Sequence, residues 1–446
     1  MKENQHGLSG SRNAAGQFLL FQTGKAQTEY RPFNVDCTEP LKPLEVPPES
    51  QCFPQTAMDR LRKMARFSAM AIRLDTFNPE SSADVDFFQQ AADVVQSVCD
   101  AQKGLYGRIA PGWIGCFFPQ KSSKACEKIA KAIRNAVSGR KQHSITIGIA
   151  QFPTLDYSGM QILENARKAV FHAEFFGPDS TTCFDAVSLN ISGDRYYQEG
   201  NIQGAVDEFK KALSMDPDNV NVHNSLGVCY AVLGELDKAL EEFRTALDLD
   251  AAEMMAAYNC GLVHFLQKSY EKALELFLQA ERLGAGVFET AFQLGRTFLE
   301  LKKIGEAIDY FEKALRRNPD SAAAYRYLAE ACILEGRFED ALSAYRTAAR
   351  KNPNDAEALS ALGELLNRED KDPEIAALFC RQSVHISPEN GLYWERLGRV
   401  CLNQKHYEEA RKALRRAVDL GRDCLKDLEK IPSPDPVETP QDMSNS

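Results

Sequence analysis

Small and large apolar residues recur every 34 residues along the second half of the chain, from about 186 to 422. In most units a small residue is followed after twelve or thirteen residues by an alanine, and four residues later by a large apolar side chain. Spacings of three and four mark one face of a helix, and small residues let two helices approach closely. The pattern therefore predicts seven stacked helix hairpins, here called repeats one to seven. Their first small positions are Gly193, Gly227, Gly261, Gly295, Ala329, Gly363 and Gly398.

Two segments of this region resemble the tetratricopeptide repeat family almost position for position. They are YYQEGNIQGAVDEFKKALSMDPDN (196–219) and WERLGRVCLNQKHYEEARKALRRAV (394–418). The resemblance implies an all-α solenoid whose first helices line a concave face that binds a protein or peptide partner. Repeat six carries the insertion NREDKDPE and has Cys380 in the aromatic position, so we expect it to be locally irregular. Residues 423–430 look like the start of a capping helix.

The positions that this architecture places on the concave face are apolar in the central repeats. With the small residue as position 8, the concave positions are 2, 5, 9 and 12. They predict an exposed apolar patch that grips an extended or helical peptide, with Arg296 and Arg326 anchoring an acidic group. The alternatives are that the superhelix packs these residues against neighbouring helices, or that the protein's own tail fills the groove. The predicted groove residues are Asn224, Met255, Tyr258, Leu262, Phe265, Phe292, Arg296, Leu299 and Arg326.

Between residues 55 and 188 the pattern changes to alternating strands and helices. Strands are predicted at 68–75, 105–109, 113–118, 145–149 and, as an edge strand, 181–187. Helices are predicted at 85–98, 129–137 and 163–173. This arrangement predicts an α/β sandwich with a mostly antiparallel or mixed sheet.

Part of this region resembles the GGDEF domain, the nucleotidyl-cyclase-like fold of bacterial diguanylate cyclases. The matching segments are HSITIGIAQFP (143–153) and ILENARKAVFHAEFFG (162–177). The family's signature loop aligns with 110–114, which reads Ala-Pro-Gly-Trp-Ile and lacks the glycines and carboxylates that hold metal and phosphates. Arg73 aligns with the other metal carboxylate, and only Asp75 remains nearby. The resemblance therefore implies a degenerate, catalytically inactive domain.

The family's product-inhibition motif falls at Ala101 and Gly104, so that site is also missing. Two roles remain for such a domain. It is a folded interaction or dimerisation module, or it still binds a nucleotide. Trp113 at the hairpin tip is either an exposed binding anchor or part of the core of its own domain.

Both ends of the chain are predicted to be tails. Residues 1–54 are rich in Gln, Gly, Ser, Asn and Pro and predict a disordered tail and extended linker, and 431–446 predict a second disordered tail. The single apolar cluster of the first tail, at 18–21, is a docking strand or an accidental cluster. The predicted domains are then 55–188, the degenerate GGDEF-like domain, and 189–430, the seven repeats with their capping helix.

Composition narrows the classes of function. The chain has 446 residues and a net charge of −10, which argues against a general nucleic-acid or anionic-membrane binder. No apolar run is long enough to span a membrane, and the N-terminus lacks the features of a signal peptide, so we expect a cytoplasmic protein without membrane insertion. The twelve cysteines are scattered without a Cys-x-x-Cys pair, which predicts reduced thiols and no metal or cofactor.

The leading hypothesis is a non-catalytic scaffold or adaptor in bacterial signalling or assembly, which binds a protein or peptide partner in the repeat groove. Its N-terminal domain would mediate regulation or a homodimer. The alternative is a nucleotide or cyclic-dinucleotide sensor that works through the degenerate domain. A residual enzyme is disfavoured because no nucleophile, general base or metal-binding carboxylate pair is evident in the sequence.

Overall fold

The computed structural model describes residues 48–137, 144–284 and 288–432. These residues form two compact units, of which the first extends to Val263 and the second begins at His264. The first unit holds a sheet domain and the first repeats, and the second unit holds the later repeats. Most of the two predicted tails lies outside the described residues.

The sheet domain contains five strands in the order β2-β3-β1-β4-β5. Its elements are α1 Pro48–Leu61, β1 Phe67–Leu74, α2 Ser82–Gln102, β2 Leu105–Ala110, β3 Trp113–Pro119, α3 Ser123–Val137, β4 Ile145–Phe152, α4 Ile162–Glu174 and β5 Thr181–Cys183. The first four strands in this order pair antiparallel, and β5 pairs parallel with β4. The mixed sheet and its hairpin agree with the prediction, whereas the edge strand is shorter than the predicted 181–187, because the next helix already begins at Ala186.

One face of the sheet is covered by α2 and α3. Met70 and Ile72 of β1 point to this face, where they share a buried core with residues of both helices, including Val95 and Ile133. Alternation along the strand explains the pattern, because successive side chains point to opposite faces. This face therefore carries the large aliphatic residues of the sheet.

The opposite face is covered by α4 and α1, and it carries small residues under α4 and aromatic residues such as Phe117 under α1. A side chain at Gly148 of β4 would collide with the backbone of α4 at Ala166 and Val170. Glycine here lets the helix lie directly on the strand. Because α4 lies on this face and also contacts α5, the first repeat begins on the same side of the sheet.

The first helix corrects the prediction for residues 48–54, which the sequence assigns to the disordered tail and linker. Proline is tolerated in the first turn of a helix, where Pro48 lies, although Pro54 removes a hydrogen bond further on. The compensating contact is Phe53, whose ring packs 5.9 Å from that of Phe117 and fills the space that Gly107 leaves open. Burial of this ring on the sheet stabilises a helix that the local sequence disfavours.

Fourteen helices follow in the order that the repeat pattern predicts. They are α5 Ala186–Gln198, α6 Ile202–Met215, α7 Val220–Val232, α8 Leu236–Leu249, α9 Met254–Leu266, α10 Tyr270–Leu283, α11 Phe288–Glu300, α12 Ile304–Arg317, α13 Ala322–Leu334, α14 Phe338–Lys351, α15 Ala356–Arg368, α16 Pro373–Ile386, α17 Gly391–Asn403 and α18 Tyr407–Asp419. A short helix, α19 Leu425–Glu429, follows as the predicted cap. Repeat six is irregular as expected, because the inserted residue leaves both Asp370 and Asp372 with positive φ.

In repeats one, two, four, six and seven, the small residue of the first helix faces the position of the large residue on the second helix. A side chain added at Gly295 would lie 2.7 Å from the ring of Phe311, and one at Gly193 would collide with Phe209 in the same way. In repeat seven Gly398 faces Leu414 instead. The small position therefore sets the distance between the two helices of a pair.

We expect Gly295→Val to lower the free energy of unfolding of the second unit by about 1–3 kcal/mol, because the new side chain overpacks the contact with Phe311. Gly305→Val is the matched control, since the space around Gly305 is open. It should change stability by no more than about 0.5 kcal/mol. Urea unfolding followed by circular dichroism tests the pair, and equal effects of the two substitutions would show that the small position is not required.

A buried ion pair joins the sheet domain to the first repeat within the first unit. The Nζ atom of Lys168 on α4 donates to both carboxylate oxygens of Glu208 on α6 at 2.7 Å. Both residues are less than 10 % exposed. Removing one partner of such a pair leaves a buried charge without compensation, which is strongly destabilising.

We therefore expect Lys168→Met alone to destabilise the first unit by about 3–5 kcal/mol. The double substitution Lys168→Met with Glu208→Leu should recover most of that loss, because it removes both charges. Lys238→Met, which breaks the exposed pair with Glu235, is the control and should cost at most about 1 kcal/mol. If the double variant unfolds as readily as the single one, apolar packing rather than charge holds this junction.

Candidate functional site: the concave face of the repeats

The structure changes the expected exposure of the predicted groove residues. The sequence predicts a solvent-exposed patch, but six of the nine residues are buried and Phe292, Arg296 and Arg326 are half-buried. The expectation of exposure is therefore wrong for the apolar part of the groove. The buried members are Asn224, Met255, Tyr258, Leu262, Phe265 and Leu299.

In the first unit, Asn190 and Asn224 occupy position 5 of repeats one and two, and Asn259 stands at position 6 of repeat three. The Nδ2 atom of Asn259 donates to Oδ1 of Asn224 at 3.0 Å. The Nδ2 atom of Asn224 and the Oδ1 atom of Asn190 are buried without a hydrogen-bond partner. This donor and this acceptor are therefore enclosed by the protein and unsatisfied. The sequence signal for Asn190 is its place at position 5 of repeat one, the same position as Asn224 in repeat two.

In the second unit, Arg296 lies among aromatic rings. Its guanidinium carbon is 4.7 Å from the ring centroid of Phe265 and 5.4 Å from that of Tyr327. Its Nη1 atom donates to Oε1 of Gln293 at 3.1 Å. Cation–π contacts of this kind orient the guanidinium, and none of the described carboxylates forms an ion pair with it. Arg296 is therefore compatible with the predicted role as an anion anchor.

Arg326 has a different environment, because the chain supplies its own carboxylates. Its guanidinium lies 3.3 Å from an oxygen of Asp355 and 3.1 Å from one of Glu357. A ligand carboxylate would have to compete with these two groups. Glu330 lies on α13, the helix that also carries Arg326. Burial and, after it, the nearby charge of Glu357 raise the pKa of Glu330. This part of the face already has paired charges.

A cavity of about 850 Å³ opens on this face between repeats five and seven. Arginines and carboxylates of successive first helices line it, and most are paired. Arg396 forms an ion pair with Glu364, and the Nε atom of Arg399 donates to Asp427 at 2.8 Å. The face of the second unit is therefore open and of mixed charge, whereas that of repeats two and three is closed and apolar.

Sequence models of the tetratricopeptide repeat match the helical region. The matched residues are 193–234, 233–287, 292–356, 335–391 and 391–424, which together span more than half of the chain. The chain belongs to the tetratricopeptide repeat family. Proteins of this family are in general scaffolds for protein interactions, so the coarse class of function agrees with the resemblance found in the sequence.

Solved structures of other tetratricopeptide repeat proteins are similar to this chain. PilF of Pseudomonas aeruginosa is 29 % identical, covers 47 % of this chain and 95 % of its own, and has a TM-score of 0.44. A repeat protein from Parabacteroides merdae is 19 % identical, with coverage of 55 % and 98 % and a TM-score of 0.43. YrrB, described as a protein with an unusual peptide-binding site, is 23 % identical, with coverage of 42 % and 95 % and a TM-score of 0.37. No curated protein matches the chain.

The sheet domain that precedes the tetratricopeptide repeats does not offer a metal site at the positions that the resemblance implies. Arg73 forms an ion pair with Glu174. Asp75 accepts hydrogen bonds from the side chains of Ser144 and Thr146 and from the backbone of Asp179. Throughout the described ranges, no group of three or more His, Cys, Asp or Glu residues is placed to hold a metal ion. These residues do not fit a divalent cation.

Trp113 packs on its own domain rather than standing free. It is half-buried, with its ring in edge contact with Phe171 at 6.1 Å between centroids. The guanidinium groups of Arg73 and Arg167 lie 5.8 Å and 5.1 Å from its ring centroid. The core alternative for Trp113 therefore fits better than the exposed anchor.

Most of the cysteines whose side chains the structure describes are packing residues. The ten whose side chains are described are free thiols, and all but Cys183 are buried. Burial raises the pKa of the Cys229 thiol to about 12 and that of Cys260 to about 11. Thiols with such values are poor nucleophiles at neutral pH.

In the part of the chain that the structure describes, no helix is both long and apolar enough to cross a membrane.

Asp194 is a titratable group of the concave face that the sequence analysis missed. It occupies position 9 of repeat one, and burial raises its pKa to about 7. An unfolded aspartate loses its proton near pH 4. Between these pH values the folded chain binds more protons than the unfolded chain, so the stability of the first unit falls as pH rises from about 4 to 7.

We expect Asp194→Asn to remove this loss, because the amide has no charge to bury. At pH 8 the melting temperature of the variant should exceed that of the wild type by about 2 °C or more, and at pH 4.5 the gap should be much smaller. Thermal unfolding at the two pH values, followed by circular dichroism, measures the gap. A gap that does not change with pH would contradict the assignment.

Proposed function

We propose that the chain is a non-catalytic, cytoplasmic scaffold that binds a protein or peptide partner along the concave face of its repeats, in bacterial signalling or assembly. The observation that carries this proposal is the open cavity of about 850 Å³ in the second unit. Its walls come from the first helices of three successive repeats, which is the surface that the family architecture presents to a ligand. The partner itself is to be found by experiment.

The charges of this cavity favour a partner with both acidic and basic side chains. Arg326, Arg396 and Arg399 each have a carboxylate neighbour within the chain. A partner that carries both signs of charge can pair with the arginine and with its carboxylate, so that no ion is left unpaired. Exposed ion pairs contribute about 0–1 kcal/mol each, so such exchange gives selectivity more than affinity.

The half-buried Phe292 and Arg296 extend this surface into repeat four. The guanidinium of Arg296 is held between rings and can donate hydrogen bonds to an acidic group of the partner. The buried members of the predicted groove, such as Tyr258 and Leu262, are not accessible to a partner in this structure. The proposed binding surface therefore lies on the second unit.

For the sheet domain we propose a degenerate GGDEF-like fold that regulates the scaffold or joins two copies of it, without turnover. Its support is the strand order with a hairpin at the place of the signature loop, and the absence of carboxylates in that loop. No observed cluster favours the alternative of a nucleotide sensor. The role of this domain in a homodimer stays a prediction.

We expect Arg399→Glu to deplete the partner severalfold in an affinity pull-down from the native cytoplasm, with proteins identified by mass spectrometry. Arg381→Glu is the matched control, because its side chain is 43 % exposed against 44 % for Arg399 and is also paired with a carboxylate, but it lies on the second helix of its repeat. Proteins retained by the control and lost with Arg399→Glu identify the partner. Equal retention by both variants would refute binding at this face.

A further inference from the structure

The outer face of the sheet domain, formed by α2 and α3, carries two lines of opposite charge. On α2 the buried residues include Ala91 and Val95, which point to the sheet, so the exposed residues lie on the other side of the helix. Aspartates stand at the centre of that exposed side, and their spacing of seven residues places them in one line along the helix. This acidic stripe consists of Asp86, Asp93 and Asp100, and all three are exposed.

Lysines occupy the same place on α3. Cys126, Ile129 and Ile133 are buried and point to the core, and the lysines lie on the opposite side at spacings of four and three residues. Both helices cover the same face of the sheet, so the two lines of charge lie side by side. This basic stripe consists of Lys124, Lys128 and Lys131, and all three are exposed.

The charges of the two stripes are not paired within the domain. Among the described residues, none forms an ion pair with any member of either stripe, whereas Arg73 of the same domain pairs with Glu174. Asp93 accepts a hydrogen bond at 2.8 Å from Nε2 of Gln89, which is a neutral group. Both stripes can therefore pair with charges of another molecule without breaking an existing ion pair.

The two helices run antiparallel, because the sheet topology requires it. β1 and β2 are both antiparallel to β3, so α2, which connects β1 to β2, runs opposite to α3, which connects β3 to β4. The end of α2 lies beside the start of α3, where Nζ of Lys121 donates to Oε1 of Gln102 at 3.0 Å. Asp100 is therefore level with Lys124. Asp93 and Lys131 are each seven residues further from this end, about 10.5 Å in both helices, so they are level too.

We propose that a second copy of this chain binds to this face, with α2 of each copy lying on α3 of the other around a two-fold axis parallel to the helices. Rotation about this axis exchanges the two helices and keeps every residue at its level. It brings Asp100 of one copy to Lys124 of the other, and Asp93 to Lys131. Each contact then occurs twice, as in every two-fold interface. A two-fold axis across the helices would place aspartate on aspartate, which repulsion disfavours.

The surface between the stripes allows such a contact. It is a groove of about 490 Å³ that contains no carboxylate in its lining. Its apolar lining residues are mostly small, so two helix layers can approach closely, and burial of this area favours association. Exposed ion pairs contribute about 0–1 kcal/mol each, so the stripes determine the orientation of the two copies more than their affinity. The apolar lining residues are Val98, Ala125, Ile129 and Ala132.

This inference rests on the proposed role of the sheet domain in joining two copies, and it names the surface that joins them. A dimer carries two concave repeat faces. A partner that presents two copies of its binding segment can therefore occupy both, and its apparent affinity rises by avidity without any new contact on the repeats.

The first test measures the mass of the full chain by analytical ultracentrifugation over a range of concentrations. The wild type should form a dimer whose dissociation constant rises at least about tenfold from low to high salt, because salt screens exposed charges. The variant with Asp86→Lys, Asp93→Lys and Asp100→Lys should dimerise at least about 100-fold more weakly, since lysine then faces lysine. A wild type that is monomeric at every concentration would overturn the proposal.

The matched control reverses three acidic residues of α12, which are also exposed and form no ion pair with a described residue. It consists of Glu306→Lys, Asp309→Lys and Glu312→Lys, and it changes the net charge by the same amount. This control should dimerise as the wild type does. Equal weakening by the control and by the aspartate variant would show that net charge rather than this face is responsible, and would overturn the proposal.

The second test restores the contact by exchange of charge. A variant with Lys124→Glu, Lys128→Glu and Lys131→Glu should be monomeric alone, but mixed with the aspartate variant it should form a heterodimer, because lysines then face carboxylates at both crossings. The heterodimer would also show that both variants are folded.

Failure of the mixture to associate, or a homodimer that survives both reversals, would overturn the assignment of this face. A homodimer that survives would still leave the proposed joining role of the sheet domain intact, through another surface. The tests do not involve the cavity of the second unit, so the pull-down with Arg399→Glu can succeed even where this proposal fails.

Discussion

The close approach of two helices at a residue without a large side chain is the constraint on which the repeat region depends. At Gly193, Gly227 and Gly295 the ring of the facing phenylalanine fills the space where a side chain would be. This contact sets the distance and the direction of each helix pair. The orientation of each helix pair fixes the direction of the side chains at its concave positions. The binding face therefore depends on packing between residues that do not themselves contact a ligand.

Much of this architecture could be predicted from the sequence because its causes are local. The spacing of Ala205, Phe209 and Ala212 places these residues on one face of a helix. The alternation of Ile145, Ile147 and Ile149 is typical of a strand. The irregularity of repeat six follows from one inserted residue. The hairpin between β2 and β3 follows from the proline and glycine in its turn.

The remaining features depend on contacts between distant residues. The helix at Pro48–Leu61 forms because Phe53 finds the space left by Gly107, which no local pattern of the proline-rich segment indicates. The exposure of the groove could not be predicted, since the repeat pattern gives the direction of Leu262 but not what lies over it. The unsatisfied amides of Asn190 and Asn224 could not be predicted either, because the sequence does not show which polar atoms lack a partner after folding.

The ion pair between Lys168 and Glu208 has a consequence for assembly. A repeat array with a bare end presents an apolar surface on which a repeat of another molecule can stack, and such stacking propagates into filaments. In the first unit, α4 packs on α5 and is joined by this pair to α6, so the sheet domain occupies that end of the array. In the second unit, α19 lies against α18. In the first unit, a repeat of another molecule therefore cannot stack on the end of the array that the sheet domain occupies.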